Sequence, residues 1–232
     1  QKQTGDPRWR VAFNPDQMEQ LNVTETVAAG TDLAEFINPK VKYYNVIRIR
    51  LTLDQGTYTV SEPILVPSAM TFISGQGAGD TNGKSEATII NVATNEPLFV
   101  LYCRDSYSNG YMKQNRLSLS KVRVEGLKNS IVKDDLGTMG TDMTYMYLTN
   151  SVVELSGNNP IFDFKGWPEN LNVSESTIYS LGDGHQGKFL VSRGLASEVG
   201  KKQNVILTGN TLYQISKGQQ MNEIANKNKA SL

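Results

Sequence analysis

The chain is poor in the residues that most readily announce chemistry. Its 232 residues include one cysteine, Cys103, and one histidine, His185. A lone cysteine closes no internal disulfide and builds no multi-cysteine metal site. Basic and acidic side chains number 23 each, so the formal net charge is zero. Nucleic acids and anionic membranes are gripped by basic faces, so neither is expected as the main partner. No run of 18 apolar residues occurs, and no membrane-spanning helix is expected. The first residue is Gln1, with no basic-then-apolar leader after it. That start fits a cytosolic chain, or a secreted one whose leader has been removed.

Strong helix-forming blocks are also few. Asn, Ser, Thr and Gly surround short stretches of Val, Ile and Leu that alternate with polar residues. This pattern implies an all-β protein with many turns, in one large domain or two small ones.

Four segments of the second half align without gaps: "LSLSKVRVEGL" from Leu117, "MYLTNSVVEL" from Met146, "LNVSESTIYSL" from Leu171 and "VILTGNTLYQI" from Val205. Their reference column, Leu119, Leu148, Val173 and Leu207, recurs after 29, 25 and 34 residues. Apolar columns lie two residues before it (Leu117, Met146, Leu171, Val205) and five after it (Val124, Val153, Ile178, Leu212). The next position always carries a hydroxyl: Ser120, Thr149, Ser174, Thr208. A third short run often follows each copy, at 130–132, 161–164 and 188–191. Three short strands per repeat predict one turn of a solenoid, with like columns stacked about 4.8 Å apart. Hydroxyl and amide columns at the bends are placed to pass hydrogen bonds from rung to rung.

The first half fits the same plan through "VIRIRLTLDQGTY" (46–58), "PILVP" (63–67), "MTFIS" (70–74) and "ATIINV" (87–92). Before them, residues 31–38 read as a short helix, capped by Thr31 or Asp32 and ended by Pro39. It is expected to cover the open end of the solenoid. The expected division is an N-terminal extension or linker (1–22), a β-helix domain (23–217) of about seven rungs, and a polar C-terminal tail (218–232).

The helix, then "LDQGTYTVSEPILVP", "MTFISGQGAGD" and "ATIINV", resembles the opening of the right-handed parallel β-helix (pectin lyase-like) superfamily. It is also similar to secreted β-helix proteins of gut Bacteroidetes. The likeness covers roughly residues 27–217. It implies a single-stranded, all-β parallel solenoid in an extracellular, periplasmic or cell-surface setting, with a polysaccharide or other glycan as partner.

"FISGQGAGD" (72–80) invites a phosphate-loop reading, which its spacing rejects. Gly75 and Gly77 match a dinucleotide fingerprint, but the third required glycine falls on Asp80. Gly79 and Gly83 are four apart where the P-loop needs five, and a strand follows where either motif needs a helix. The glycines are expected to turn the chain between strands.

Residues between the apolar columns face outward. Tyr145 and Tyr147 fall on one outer face, Tyr179 and Tyr213 on another, where aromatic planes beside amides suit sugars. Trp167, at a bend, and His185, in the loop "GDGHQGK", are further candidates for ligand contact. Resemblance to polysaccharide lyases adds catalytic expectations: calcium-binding carboxylates and a basic residue that takes a proton. Lys121, Arg123 and Glu125 lie close together, and Glu154 falls in the Glu125 column one rung on, a separation suited to a pair of hydrolytic carboxylates. No cofactor motif is present. Calcium would find oxygen ligands in Asp134, Asp135 and Asp142 of a loop between rungs. The expected role is glycan interaction without catalysis. The alternatives are a lyase or glycoside hydrolase acting on an acidic polysaccharide, and a structural or adhesive solenoid.

Overall fold

A computed structural model describes residues 21–43, 47–67, 69–79, 84, 86–102, 114–134, 142–164, 168–192, 204–218 and 221–224. They form a right-handed parallel β-helix of three all-parallel sheets. The first sheet stacks seven strands in the order β1 (Leu21–Val27), β2 (Ile47–Leu53), β5 (Met70–Ser74), β8 (Gln114–Ser120), β11 (Asp142–Thr149), β14 (Asn170–Ser174) and β17 (Asn204–Thr208). The second holds β3 (Gly56–Val60), β6 (Thr88–Val92), β9 (Arg123–Leu127), β12 (Val152–Leu155), β15 (Thr177–Ser180) and β18 (Thr211–Tyr213). The third holds β4 (Ile64–Val66), β7 (Phe99–Leu101), β10 (Val132–Asp134), β13 (Phe162–Phe164), β16 (Leu190–Ser192) and β19 (Asn222–Ile224).

The sequence columns are the registers of these sheets. Leu119, Leu148, Val173 and Leu207 are successive partners across β8, β11, β14 and β17. Leu119, Leu148 and Val173 are fully buried, but Leu207 is 45% exposed, because β17 and β18 are the last strands of their sheets. Alternation at period two sends every second side chain into the shaft, as the perfect buried-exposed pattern of β2 illustrates.

The first two sheets meet at a one-residue bend in left-handed backbone: Lys121, Asn150, Glu175 and Gly209 have φ between 47° and 66°. The inward residue after each bend builds a polar ladder. Ser151 Oγ accepts from the Val122 amide at 3.4 Å, Ser176 Oγ from the Ser151 amide at 3.2 Å, and Asn210 Oδ1 from the Ser176 amide at 3.0 Å. Ser151 and Ser176 also donate back to the carbonyls of Thr149 and Ser174. The column three residues after the reference, not the hydroxyl column one residue after it, carries these bonds.

Helix α1 (Leu33–Tyr43) closes the N-terminal end. Asp32 is its cap: Oδ1 accepts from the amides of Ala34 and Glu35, and Oδ2 from that of Ser61. Contrary to expectation, Pro39 does not end the helix. Its ring lies on the exposed side, while Ile37, Asn38 and Val41 continue the buried face beyond it. Asn38 acts as a surrogate strand for the β4 edge, donating to Pro63 O at 2.9 Å and accepting from the Leu65 amide at 2.9 Å. The residues read as a polar tail include strand β19, which extends the third sheet.

Candidate functional site

The outer face of the first sheet has three columns. The one nearest the bend is Thr26, Thr52, Ser74, Ser120, Thr149, Ser174 and Thr208, an unbroken rank of hydroxyls across all seven strands. Inside the shaft such groups would need partners; outside, they are open to solvent. Of these seven side chains, all among the described residues, only that of Ser74 makes a hydrogen bond, a long one of 3.4 Å to Gly75 O. Next to this rank runs Thr24, Arg50, Phe72, Ser118, Tyr147, Asn172 and Ile206, and beyond it Asn22, Arg48, Met70, Arg116, Tyr145, Asn170 and Asn204. Tyr145 and Tyr147 are half-buried with ring centroids 6.0 Å apart and planes within 10°. The Arg116 guanidinium lies 4.9 Å from the Tyr145 ring centre, and that of Arg50 lies 5.4 Å from Phe72. Asn172 Oδ1 is covered and has no partner.

The second sheet carries a charged cluster on its outer face. Arg123 and Glu154 lie on the same side, and Arg123 is only 4% exposed. Its burial comes from the glycine loop: Arg123 Nε donates to Ala78 O at 2.9 Å. Gly75 permits that loop to lie down, since a Cβ there would stand 2.4 Å from Lys121 O. The glycines thus form a turn, as their spacing led one to expect, and it folds over a neighbouring rung. Glu125 pairs with Lys84 and sits 4.0 Å from Arg123 Nη1. Glu154 accepts from the Tyr179 hydroxyl at 2.7 Å. Burial, and then this bond to a carboxylate, push the Tyr179 pKa up to about 12. Both carboxylates are therefore engaged, and a β-bulge at Glu125 and Gly126 offsets the two rungs. Lys121 stands apart on the exposed bend. Tyr213 is in register with Tyr179 and 53% exposed; its hydroxyl accepts from Gln214.

A cleft of about 340 Å³ adjoins this cluster, lined by Glu154, Asn158, Ser180, Asp183 and Gly184 among others. His185 does not open into solvent as a loop histidine would; it is 1% exposed. Its Nε2 donates to Asn159 O at 2.8 Å and its Nδ1 accepts from the Ser216 amide at 3.3 Å, tying three rungs together. Desolvation lowers its pKa below the usual 6.5. The ring is a structural peg, because both nitrogens are already committed.

The candidate metal residues separate. Asp134 is in β10, not in a loop, and alternation turns it inward with Val132, where it is 1% exposed and has a partner. Asp142 opens strand β11, while Asp135 and Trp167 lie outside the described residues. Among the described residues, no group of three or more His, Cys, Asp or Glu is arranged for a metal ion. Sequence reasoning passed over Lys84, Arg48, Arg50 and Phe72. Carrying the outward columns into the first half would have found the last three.

Comparison with family models, with curated proteins and with solved structures finds no match for this chain.

Proposed function

We propose that this β-helix is an extracellular or cell-surface, non-catalytic glycan-interacting protein of the pectin lyase-like kind. The outer face of the first sheet is the binding surface in this reading. The observation that carries it is the rank of seven outward hydroxyls beside half-buried aromatic rings. Six of these seven hydroxyls make no hydrogen bond within the protein; such groups suit the hydroxyl groups of a sugar chain, and ring faces suit its C–H faces. A glycan array, followed by calorimetric titration of the glycans retained, tests the reading. Retention abolished by Ser120→Val together with Tyr147→Ala supports it; retention unchanged by that pair refutes it.

A second, enzymatic reading is favoured by Arg123, Glu125, Glu154 and Tyr179 sharing one face beside the cleft. A lyase or hydrolase acting on an acidic polysaccharide would release unsaturated products or new reducing ends. Failure to release either from a panel of acidic and neutral polysaccharides removes that reading and leaves the binding one intact.

A further inference from the structure

On the proposed glycan face the chemistry repeats every second rung. Arg48 and Arg116 share an outward column on β2 and β8, with Met70 of β5 between them. Phe72 and Tyr147 share the next column on β5 and β11, with the small Ser118 of β8 between them. Each pair is thus separated by two rungs, about 9.6 Å. The two pairs are offset by one rung, so arginine and aromatic alternate along the shaft: Arg48, Phe72, Arg116, Tyr147. The three outward columns contain three arginines and no Asp or Glu.

In an extended chain of equatorially linked pyranoses, successive rings present opposite faces, and each advances by close to one rung. The same chemistry then returns every second sugar. A guanidinium fork pairs with a carboxylate or a sulfate ester, while an aromatic ring takes an uncharged sugar face. Packing of the Arg116 guanidinium against the Tyr145 ring restricts its motion and lowers the ordering cost of such a contact, and Arg50 leaves one face of Phe72 for the sugar.

Resting on the glycan reading, we propose that this face takes a linear polysaccharide of two-sugar repeat lying along the shaft, one sugar of each repeat bearing an anionic group. The charged sugars meet Arg48 and Arg116, the uncharged ones lie on Phe72 and Tyr147, and the hydroxyl rank flanks the whole chain.

Calorimetric titration of the full chain with oligosaccharides of equal length tests this. The probes are hyaluronan (alternating uronate), oligogalacturonate (every sugar charged), a cello-oligosaccharide (uncharged) and keratan sulfate sulfated on its N-acetylglucosamine alone (alternating, sulfated, without uronate). An alternating probe is expected to bind about tenfold tighter than the uncharged one. Arg48→Gln and Arg116→Gln should each weaken it about fivefold, and weaken the cello-oligosaccharide by a smaller factor. Binding of keratan sulfate without hyaluronan assigns the anion to sulfate, binding of hyaluronan without keratan sulfate assigns it to the carboxylate, and binding of both means that the arginines accept either. Each of these results supports the proposal. Equal affinity for oligogalacturonate or the cello-oligosaccharide overturns the two-sugar repeat but leaves the glycan reading standing. No binding by any probe, with a negative glycan array, overturns both.

Discussion

Replacing Ser176 by alanine tests whether the ladder at the bend holds the rungs in register. The serine is 2% exposed and serves two neighbours at once. Its Oγ donates to Ser174 O at 2.8 Å and accepts from the Ser151 amide at 3.2 Å. Ser151 is 1% exposed, so water does not replace the lost acceptor readily. An amide left buried without a partner costs about 1–3 kcal/mol, and the second bond adds about 1 kcal/mol. Ser176→Ala should therefore cost about 2–4 kcal/mol. Ser176→Asn should recover most of this, since Asn210 already does the same work one rung on, accepting from the Ser176 amide and donating to Val173 O. The assay is urea unfolding followed by far-ultraviolet circular dichroism, with the slope compared between variants, because a solenoid can lose rungs separately. A cost below about 0.5 kcal/mol, the range of ordinary surface changes, would refute the ladder as a stabilising element.

Other expectations concern the glycine loop and the histidine. Gly75→Ala should destabilise by about 2–3 kcal/mol, since its Cβ would meet Lys121 O and Thr88 at 2.4–2.8 Å. Gly77→Ala should change stability by less than about 0.5 kcal/mol, because nothing lies within 4 Å of a Cβ there. Equal effects in urea melts would contradict the loop geometry. The native structure holds His185 neutral, with its pKa lowered from 6.5. Stability from the neutral ring is complete above pH 6.5 and is lost as pH falls from there to the lowered native value. Urea midpoints measured from pH 7.5 to 5 should decline in the parent and decline less in His185→Gln; parallel curves would contradict this.

Reading the sequence succeeded where one physical rule acted alone. Stacking forces like positions into columns, so Leu119, Leu148 and Val173 were legible as core, and Tyr145 and Tyr147 as outward neighbours. It failed where a second element intervened. Arg123 is outward by alternation, yet the loop at Ala78 covers it, and nothing local to "KVRVE" signals that distant turn. His185 sits among glycines that suggest exposure, but its partners Asn159 and Ser216 come from neighbouring rungs. Pro39 carries a strong stop signal, outweighed by burial of Val41 against the end of the shaft. Asp134 looked like part of an acidic loop because its neighbours are polar; strand pairing with Phe164 turns it inward.

The most direct test of the account is the length of the hydroxyl rank itself. Nitroxide labels at Thr52→Cys and Thr208→Cys, in a Cys103→Ser background, span five register steps of the first sheet. Pulsed dipolar spectroscopy should give a separation of about 24 Å for this pair and about 19 Å for Thr52→Cys with Ser174→Cys. Separations that fail to shorten by about one rung between the two pairs would mean that the strands do not stack and that no continuous glycan face exists.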